Sequence, residues 1–78
     1  LMLFERLRML RIHIARNENV PPYIVFSDKA LTDMCIKRPH TKAEMLNVNG
    51  VGENKYERYG KEFLKCIKEH ENQEDTHG

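Results

Sequence analysis

Tryptophan is absent from this 78-residue sequence, glycine, proline and cysteine are scarce, and no apolar run is long. A helix that crosses a membrane needs about 20 consecutive apolar residues, whereas the runs here are only a few residues long, so the sequence excludes such a span. The segment from Leu1 to Leu10 carries Glu5, Arg6 and Arg8 and so lacks the uncharged apolar stretch of a signal peptide. A chain of this size buries only about 60% of its unfolded surface, so we expect one small domain with one modest core. Because the sequence starts at Leu rather than Met, we expect a piece of a longer protein.

Residues that carry catalytic or metal chemistry are also sparse. The two cysteines, Cys35 and Cys66, belong to no Cys-x-x-Cys or Cys/His cluster, and we expect both to be reduced, cytosolic and packed as small apolar side chains. Neither a G-x-S-x-G nucleophile motif nor a G-x-x-x-x-G-K-[ST] phosphate loop is present. The histidines are scattered along the chain at His13, His40, His70 and His77. We therefore expect no catalytic residue, no metal site and no ATP hydrolysis from these residues alone.

Charge is balanced overall but unevenly distributed. The 13 basic and 12 acidic side chains give a formal net charge of +1. Residues 1–16 sum to +3, residues 17–36 to −2, residues 37–68 to +4 and residues 69–78 to −4. The two basic segments are suited to meet a polyanion while the acidic end stays in solvent. Ordinary solvated helix faces are the alternative, which composition alone favours.

The spacing of apolar residues predicts an all-α fold, a compact bundle of about five short helices. Apolar positions recur at the helical period from Leu3 to Ile14 and again from Tyr56 to Ile67. No strand-like alternation of useful length and no internal repeat interrupts this pattern. The residues expected in the core are Leu7, Leu10, Ile14, Phe26, Leu31, Met34, Leu46, Val48, Val51, Tyr59, Phe63 and Ile67.

Local signals predict where the helices begin and end. The first helix is expected to end near Arg16, before two asparagines and a Pro-Pro pair. Ser27 has the position of an N-cap, and Thr41-Lys42-Ala43-Glu44 has the form of a capping box. The final helix begins close to Glu53, and Gly60 inside it predicts a bend or a close helix contact.

The end of the chain differs in composition from the rest. Residues 71–78 are too polar to bury anything. We therefore expect residues 1–70 to form the domain and residues 71–78 to be a disordered acidic tail.

Two glycines bracket a lone apolar residue in Val48-Asn49-Gly50-Val51-Gly52, the pattern of the turn in helix–hairpin–helix modules. In such a turn, backbone N–H groups around Asn49, Gly50 and Gly52 approach a phosphate, and the positive end of the next helix faces that anion. Lys55, one turn into that helix, would add a charge-assisted contact. The alternative is a sharp helix connection whose two valines enter the core, and the motif alone leaves both interpretations open.

A second candidate site is Tyr23, which directly follows two prolines. An exposed ring on so stiff a support would stack on an unpaired base, an interaction worth about 1–3 kcal/mol. Arg8 and Arg11 lie about 60° apart in helical projection, on the flank of the apolar stripe of the first helix. From there they would contact successive phosphates. The alternatives are that Tyr23 packs over the end of the first helix with its hydroxyl in water, and that the arginines pair with Glu5 and Glu18.

The last helix also has a basic side. Lys61, Lys65 and Lys68 share it. Arg58 lies beside them, and we include it among the candidate nucleic-acid contacts. Solvation is the ordinary explanation for such a stripe.

Several segments combine into one recognisable pattern. They read Leu3-Phe4-x-x-Leu7-Arg8, Val20-Pro21-Pro22-Tyr23-Ile24-Val25-Phe26-Ser27-Asp28, Glu44-Met45-Leu46-x-Val48-Asn49-Gly50-Val51-Gly52 and Glu57-Arg58-Tyr59-Gly60-Lys61-x-Phe63. Together they resemble the HRDC domain found at the C-terminal end of bacterial RecQ DNA helicases. The resemblance covers roughly residues 3–70.

The resemblance implies a compact five-helix domain tethered to an ATP-dependent helicase motor, for which ATP and magnesium are the expected cofactors. Such a module helps to bind single-stranded DNA and to select DNA structures in repair and recombination. Its expected partners are DNA and the helicase core of the same chain, in the cytoplasm at the nucleoid and away from membranes. The surface around Tyr23, with Arg8 and Arg11, is the expected single-strand contact. RNase D-type exoribonucleases carry a related module, and that alternative stays open, as does a protein-docking module without nucleic-acid contacts.

Overall fold

In the computed structural model, which describes residues 2–75, the chain folds into helices joined by short connections. These are α1 (Leu3–Glu18), α2 (Pro22–Val25), α3 (Asp28–Lys37), α4 (Lys42–Leu46), α5 (Glu53–Lys55), a π-helical turn (Tyr56–Gly60) and α6 (Lys61–Asp75). The last three form one continuous helical stretch, because Tyr56 and Lys61 keep right-handed helical torsion angles at the junctions. The described residues thus contain five helical units and no strand, and the predicted all-α bundle is confirmed.

Helix α1 is longer than its sequence signals predict. It runs to Glu18 rather than ending near Arg16, and Asn19 takes the left-handed conformation, with φ of 58°, that terminates it. The N–H of Val20 then donates to the carbonyl of Ala15 at 3.0 Å, as in a Schellman motif. Asparagine adopts this conformation more readily than most residues other than glycine, so Asn19 is well suited to end the helix. Asn17, the first of the two asparagines, lies within α1.

Both predicted N-caps are present. The Ser27 Oγ accepts the N–H of Ala30 at 3.1 Å, and the Thr41 Oγ1 accepts the N–H of Glu44 at 3.2 Å. The return bond of the capping box differs from the predicted form, because the Glu44 carboxylate accepts the N–H of His40 at 2.8 Å rather than that of the N-cap residue. The two hydroxyl bonds each satisfy a backbone donor in a first helical turn, so α3 and α4 begin where the sequence predicts.

Phe26 lies at the centre of the core. Its ring is fully buried and meets Tyr59 and Phe63 edge-on, at centroid separations of 5.9 and 4.8 Å, and such pairs contribute about 0.5–1.5 kcal/mol beyond their buried area. The predicted core is confirmed except for Leu10 and Leu46, which are half-buried against it. The apolar residues that the prediction omits are Leu3, Ala15, Val25, Ala30, Met45, Tyr56 and Leu64.

Gly60 lies in the π-helical turn, in contact with the ring of Tyr56. A Cβ placed on Gly60 would lie 2.3 Å from the Cδ1 of that ring. The absence of a side chain therefore makes room for a buried tyrosine one turn earlier, at a point where the helix widens by one residue. The sequence predicts a bend or a close helix contact at Gly60, and the structure instead shows a π-helical turn with a ring of the same helical stretch against the glycine.

The end of α6 differs from the prediction. Residues 71–75, expected to belong to a disordered acidic tail, continue the helix. The Nη1 of Arg38, the C-cap of α3, donates to the Oε1 of Glu74 at 2.8 Å and lies 3.7 Å from the Oε2 of Glu71. The bond to Glu74 lowers the pKa of that carboxyl. Arg38 precedes Glu74 by 36 residues, so local polarity does not reveal the pairing that orders these acidic side chains. Residues 76–78 of the expected tail lie outside the described residues.

The packing at Gly60 predicts a specific loss of stability. Gly60→Ala should lower the free energy of unfolding by about 1–3 kcal/mol, because the added methyl group forces the buried Tyr56 ring to move. Gly52→Ala is the matched control, since nothing lies within 4 Å of a Cβ at that position. Urea unfolding followed by circular dichroism measures both variants. Equal stabilities would contradict the packing role of Gly60.

Candidate nucleic-acid interface

Tyr23 lies on the single-turn helix α2, which a proline pair introduces. Pro21 is extended, with φ of −62° and ψ of 147°, and serves as the N-cap, a position where the fixed φ of proline is tolerated. Tyr23 is 66% exposed and Ile24 is 40% exposed, whereas Val25 and Phe26 are fully buried. The buried pair anchors the turn in the core, so the tyrosine ring is presented to solvent on a fixed support.

Arg11 does not reach the surface as the sequence predicts. The residue is 8% exposed, and its Nη1 donates to the carbonyl of Phe26 at 3.0 Å and pairs with Asp28 at 2.8 Å. Arg11 follows Leu3 and Leu7 at the helical spacing and thus extends their buried stripe. The prediction of Arg11 as a phosphate contact is therefore wrong, because its guanidinium joins α1 to the start of α3.

Arg8 pairs with Glu5 on the same helix, with an Nη2–Oε2 distance of 3.1 Å. This is one of the surface pairings that the sequence leaves open. Exposed pairs of this kind contribute only about 0–1 kcal/mol. A phosphate would therefore displace the carboxylate at small cost, although the negative charge of Glu5 stays close by.

Arg58 lies beside Glu18, the last residue of α1. Its Nη2 is 3.9 Å from the Glu18 Oε1, and its guanidinium carbon is 5.6 Å from the centre of the Tyr59 ring. The Tyr59 hydroxyl donates to the same carboxylate at 2.7 Å, and this bond raises the pKa of the tyrosine. Because Tyr59 is the nearer partner of Glu18, Arg58 is held loosely and its side chain stays exposed.

Lys55 contacts the turn that carries Tyr23. Its Nζ donates to the carbonyl of Ile24 at 2.7 Å and lies 5.9 Å from the centre of the Phe26 ring. That carbonyl belongs to the end of α2, where helical carbonyls lack intrahelical partners and a cation is favoured. The sequence predicts a phosphate contact for Lys55, whereas the structure places its ammonium on the backbone of the tyrosine turn.

The glycine hairpin packs against α3. Gly50 has φ of +82°, which favours glycine, and a Cβ there would lie 3.5 Å from the Cβ of Ala30. The N–H of Asn49 donates to the Asp33 carboxylate at 2.8 Å. This bond, together with one from Lys37, lowers the pKa of Asp33. An ionised carboxylate therefore already occupies one of the backbone donors that a phosphate would use.

The rest of the hairpin agrees with its role as a helix connection. Val48 and Val51 are buried, as that alternative requires. The helix that follows begins at Glu53 and continues through the π-helical turn into α6, so the positive end of a long helix still lies at the hairpin. The structure favours the connecting role, and phosphate contacts at Asn49, Gly50 and Gly52 stay predictions.

Several of these elements meet around the start of α3. Lys55 bonds to the tyrosine turn, and a Cβ on Gly50 would lie 4.0 Å from the Oγ of Ser27, the residue that caps α3. The turn, the hairpin and Lys55 thus form one continuous region. We call residues 20–27 and 48–55 the tyrosine end.

Two of the predicted arginine contacts, Arg8 and Arg58, keep accessible side chains near the tyrosine end. Arg58 adjoins it through Glu18, which ends α1 shortly before Tyr23 in the chain. Arg8 lies about one helical turn before Arg11, whose guanidinium bonds to the Phe26 carbonyl of the tyrosine end. The structure therefore places both arginines within about one helical turn of residues that contact the tyrosine end.

Sequence reasoning missed Ile24 and Asp33 on this surface, and it named Glu18 only as an alternative partner of Arg8 and Arg11. Ile24 is exposed next to Tyr23. Its position in a four-residue helix could have indicated this exposure, because so short a helix buries only one side.

Glu18 and Asp33 bring negative charge to the surface. Glu18 accepts from the Tyr59 hydroxyl and Asp33 from the N–H of Asn49, and both partners are remote in sequence, so no local pattern indicates these two contacts.

Groups with covalent or metal chemistry are few in this part of the chain. Within residues 2–75 no three metal-ligating side chains cluster together, and none of the helices there combines the length and apolarity needed to cross a bilayer. Cys35 and Cys66 are free thiols, and partial burial raises the pKa of each. Both are therefore weak nucleophiles at neutral pH.

The fold belongs to a known class of small helical module. The family profile described as HRDC domain matches residues 1–67. The chain superposes on HRDC domain 3 of RecQ from D. radiodurans with a TM-score of 0.82 and 33% sequence identity, covering 85% of this chain and 87% of that one. The chain belongs to the HRDC domain family.

The relatives of this chain indicate which type of HRDC domain it is. The ATP-dependent DNA helicase RecQ of Pasteurella multocida is 53% identical over 68 residues, which is 87% of this chain. RecQ of Bacillus subtilis is 51% identical over 65 residues, or 83% of this chain. The chain spans only 11% of the length of either helicase. It is an HRDC domain of the bacterial RecQ type, and the resemblance found in the sequence is confirmed.

The contact made by Lys55 predicts how the tyrosine turn is held. Lys55→Met removes the donor to the Ile24 carbonyl, and we expect amide hydrogens of residues 23–26 to exchange about tenfold faster, as loss of one hydrogen bond implies. Lys29→Met is the matched control, because Lys29 is exposed and makes no ion pair or hydrogen bond within residues 2–75 through its side chain. Hydrogen exchange followed by NMR compares the two. The same exchange rates in both variants would show that Lys55 does not position the turn.

Proposed function

We propose that this domain binds single-stranded DNA through the tyrosine end, as the accessory HRDC module of a RecQ-type ATP-dependent DNA helicase. One observation carries the proposal: Tyr23 is 66% exposed on a turn whose next buried residues are fixed in the core. A ring already held outward on an ordered backbone loses little conformational entropy when a base stacks on it.

The chemistry of the tyrosine end favours unpaired bases. Stacking on a side chain requires a base face that is not already covered by its neighbours in a duplex. Each stacked base is worth about 1–3 kcal/mol and the interaction tolerates any sequence. Ile24, exposed beside the ring, extends the apolar platform. We therefore expect a preference for single strands over duplex, with little sequence specificity.

The charges near the ring favour weak binding. Arg8 and Arg58 each share a carboxylate, and Arg11 is buried. Sequence-independent binding depends mainly on contacts between cations and phosphates, so we expect about micromolar affinity at low salt. Tethering to a motor raises the effective concentration of the strand to the millimolar range and makes such affinity sufficient.

The parent protein is inferred from the relatives. Those relatives are named ATP-dependent DNA helicase, which supports a motor that binds ATP and magnesium outside these residues and unwinds DNA. In that protein the domain would help to select DNA structures in repair and recombination, in the cytoplasm at the nucleoid. The helicase core of the same chain would be its second partner.

Fluorescence anisotropy with labelled single strands, duplex DNA and RNA tests the proposal. Tyr23→Ala should weaken single-strand binding by about 5- to 100-fold, the equivalent of one stacked ring, and Tyr23→Phe should retain it. Ile36→Ala is the matched control, since Ile36 is another apolar side chain, 74% exposed, on α3.

The outcomes separate the competing functions. Unchanged binding by Tyr23→Ala would overturn the assignment to the tyrosine end. A preference for RNA would favour the RNase D-type module. Absence of binding to all three nucleic acids would leave a protein-docking role.

A further inference from the structure

The outer face of α6 carries three lysines in a line. Lys61, Lys65 and Lys68 share one face of the helix and span about 10 Å along its axis. All three are exposed, on the side opposite the buried Phe63 and Ile67. We call them the α6 lysine row.

The charges of this row are uncompensated. Many other basic side chains of the described residues have a carboxylate partner. They include Arg8, Arg11, Lys37, Arg38, Lys42 and Arg58. No carboxylate among residues 2–74 is within 4.0 Å of an ammonium group of the α6 lysine row. A polyanion therefore meets three available charges there, and no existing ion pair has to break.

Acidic residues limit the width of the row. Glu62 and Glu69 lie three residues before and four residues after Lys65 and border a shallow cleft with it, and Glu57 lies four residues before Lys61. Glu62 and Glu69 are both exposed. A single phosphate backbone centred on the row keeps the lysines as its nearest charges, whereas the second backbone of a duplex would lie over the acidic flanks. The row thus fits one strand better than two.

The row begins beside the tyrosine end. Helices α1 and α6 run antiparallel, since Arg58 reaches Glu18 at the end of α1 and Arg6 near its start donates to Gln73. Arg58 precedes the row by one turn. A path from Arg58 through the row therefore leads away from Tyr23 along about 15 Å of helix.

We propose that the α6 lysine row holds the phosphate backbone of a DNA single strand beyond the bases that stack at Tyr23. The inference rests on the proposed function and extends it by giving the strand a path. Single-strand binding combines an aromatic platform with cations that follow the backbone. The tyrosine end supplies the ring, with Arg16 and Lys29 as exposed cations close to it in the chain, and the α6 lysine row supplies further cations to strands long enough to reach it.

Dependence on strand length tests this path. Single-strand binding sites of small domains cover about 4–16 nucleotides, so the test uses oligothymidylates of about 4 and about 12 nucleotides. Fluorescence anisotropy gives the affinity for each strand across a salt series. The test variant is Lys65→Gln with Lys68→Gln, which keeps good helix formers in place. The matched control is Lys37→Gln with Lys42→Gln, which removes the same charge from lysines that already have carboxylate partners.

We expect the row variant to bind the short strand like the wild type and the long strand about tenfold more weakly. Its plot of log affinity against log salt should be shallower by about 1.4, since two contacts contribute about 0.7 each. The control should match the wild type within about twofold on both strands. Equal losses in the two variants, or equal affinity of the wild type for both lengths, would overturn the proposal. Failure of the proposed function is a separate result, in which Tyr23→Ala leaves the affinity for the short strand unchanged.

Discussion

The buried guanidinium of Arg11 fixes the part of the molecule on which the presentation of Tyr23 depends. It joins α1 to the carbonyl of Phe26 and to the carboxylate of Asp28, at the junction between α2 and α3. A buried guanidinium that loses its partners is strongly destabilising, so α1 packs correctly only when this junction is in place. The tyrosine turn directly precedes the junction and takes its fixed position from it.

The C-terminal half of the domain supports the same junction from the other side. Phe26 packs edge-on against Tyr59 and Phe63, and Lys55 bonds to the tyrosine turn. Lys55, Tyr59 and Phe63 lie in the π-helical turn or within three residues of it. The geometry of that turn depends on the missing side chain of Gly60. A glycine far from Tyr23 in sequence thus contributes to the way in which the ring is presented.

Local sequence signals predicted the helices, whereas the roles of the charged residues depended on distant partners. The caps at Ser27 and Thr41 act over three residues, and the exposure of Tyr23 agrees with the two prolines before it. Arg11, by contrast, bonds to a carbonyl 15 residues away, and Arg38 bonds to a carboxylate 36 residues away. The helical period shows that Arg11 adjoins an apolar stripe, but it does not show whether a hydrogen-bond acceptor lies within reach in the interior. The expected phosphate contact is therefore a buried residue that joins two helices. The HRDC resemblance supplied the fold and the helicase setting, but not which cations are uncompensated.

Mapping the DNA contact residue by residue tests the central claim, that an outward ring on a fixed turn binds single strands. A nitrogen-15-labelled domain titrated with an unlabelled single-stranded oligonucleotide reports each amide by its chemical shift. We predict the largest changes in residues 20–28, continuing along residues 58–68. Changes confined to residues 38–44 and 71–75, at the other end of α6, or no changes at saturating DNA, would contradict the claim.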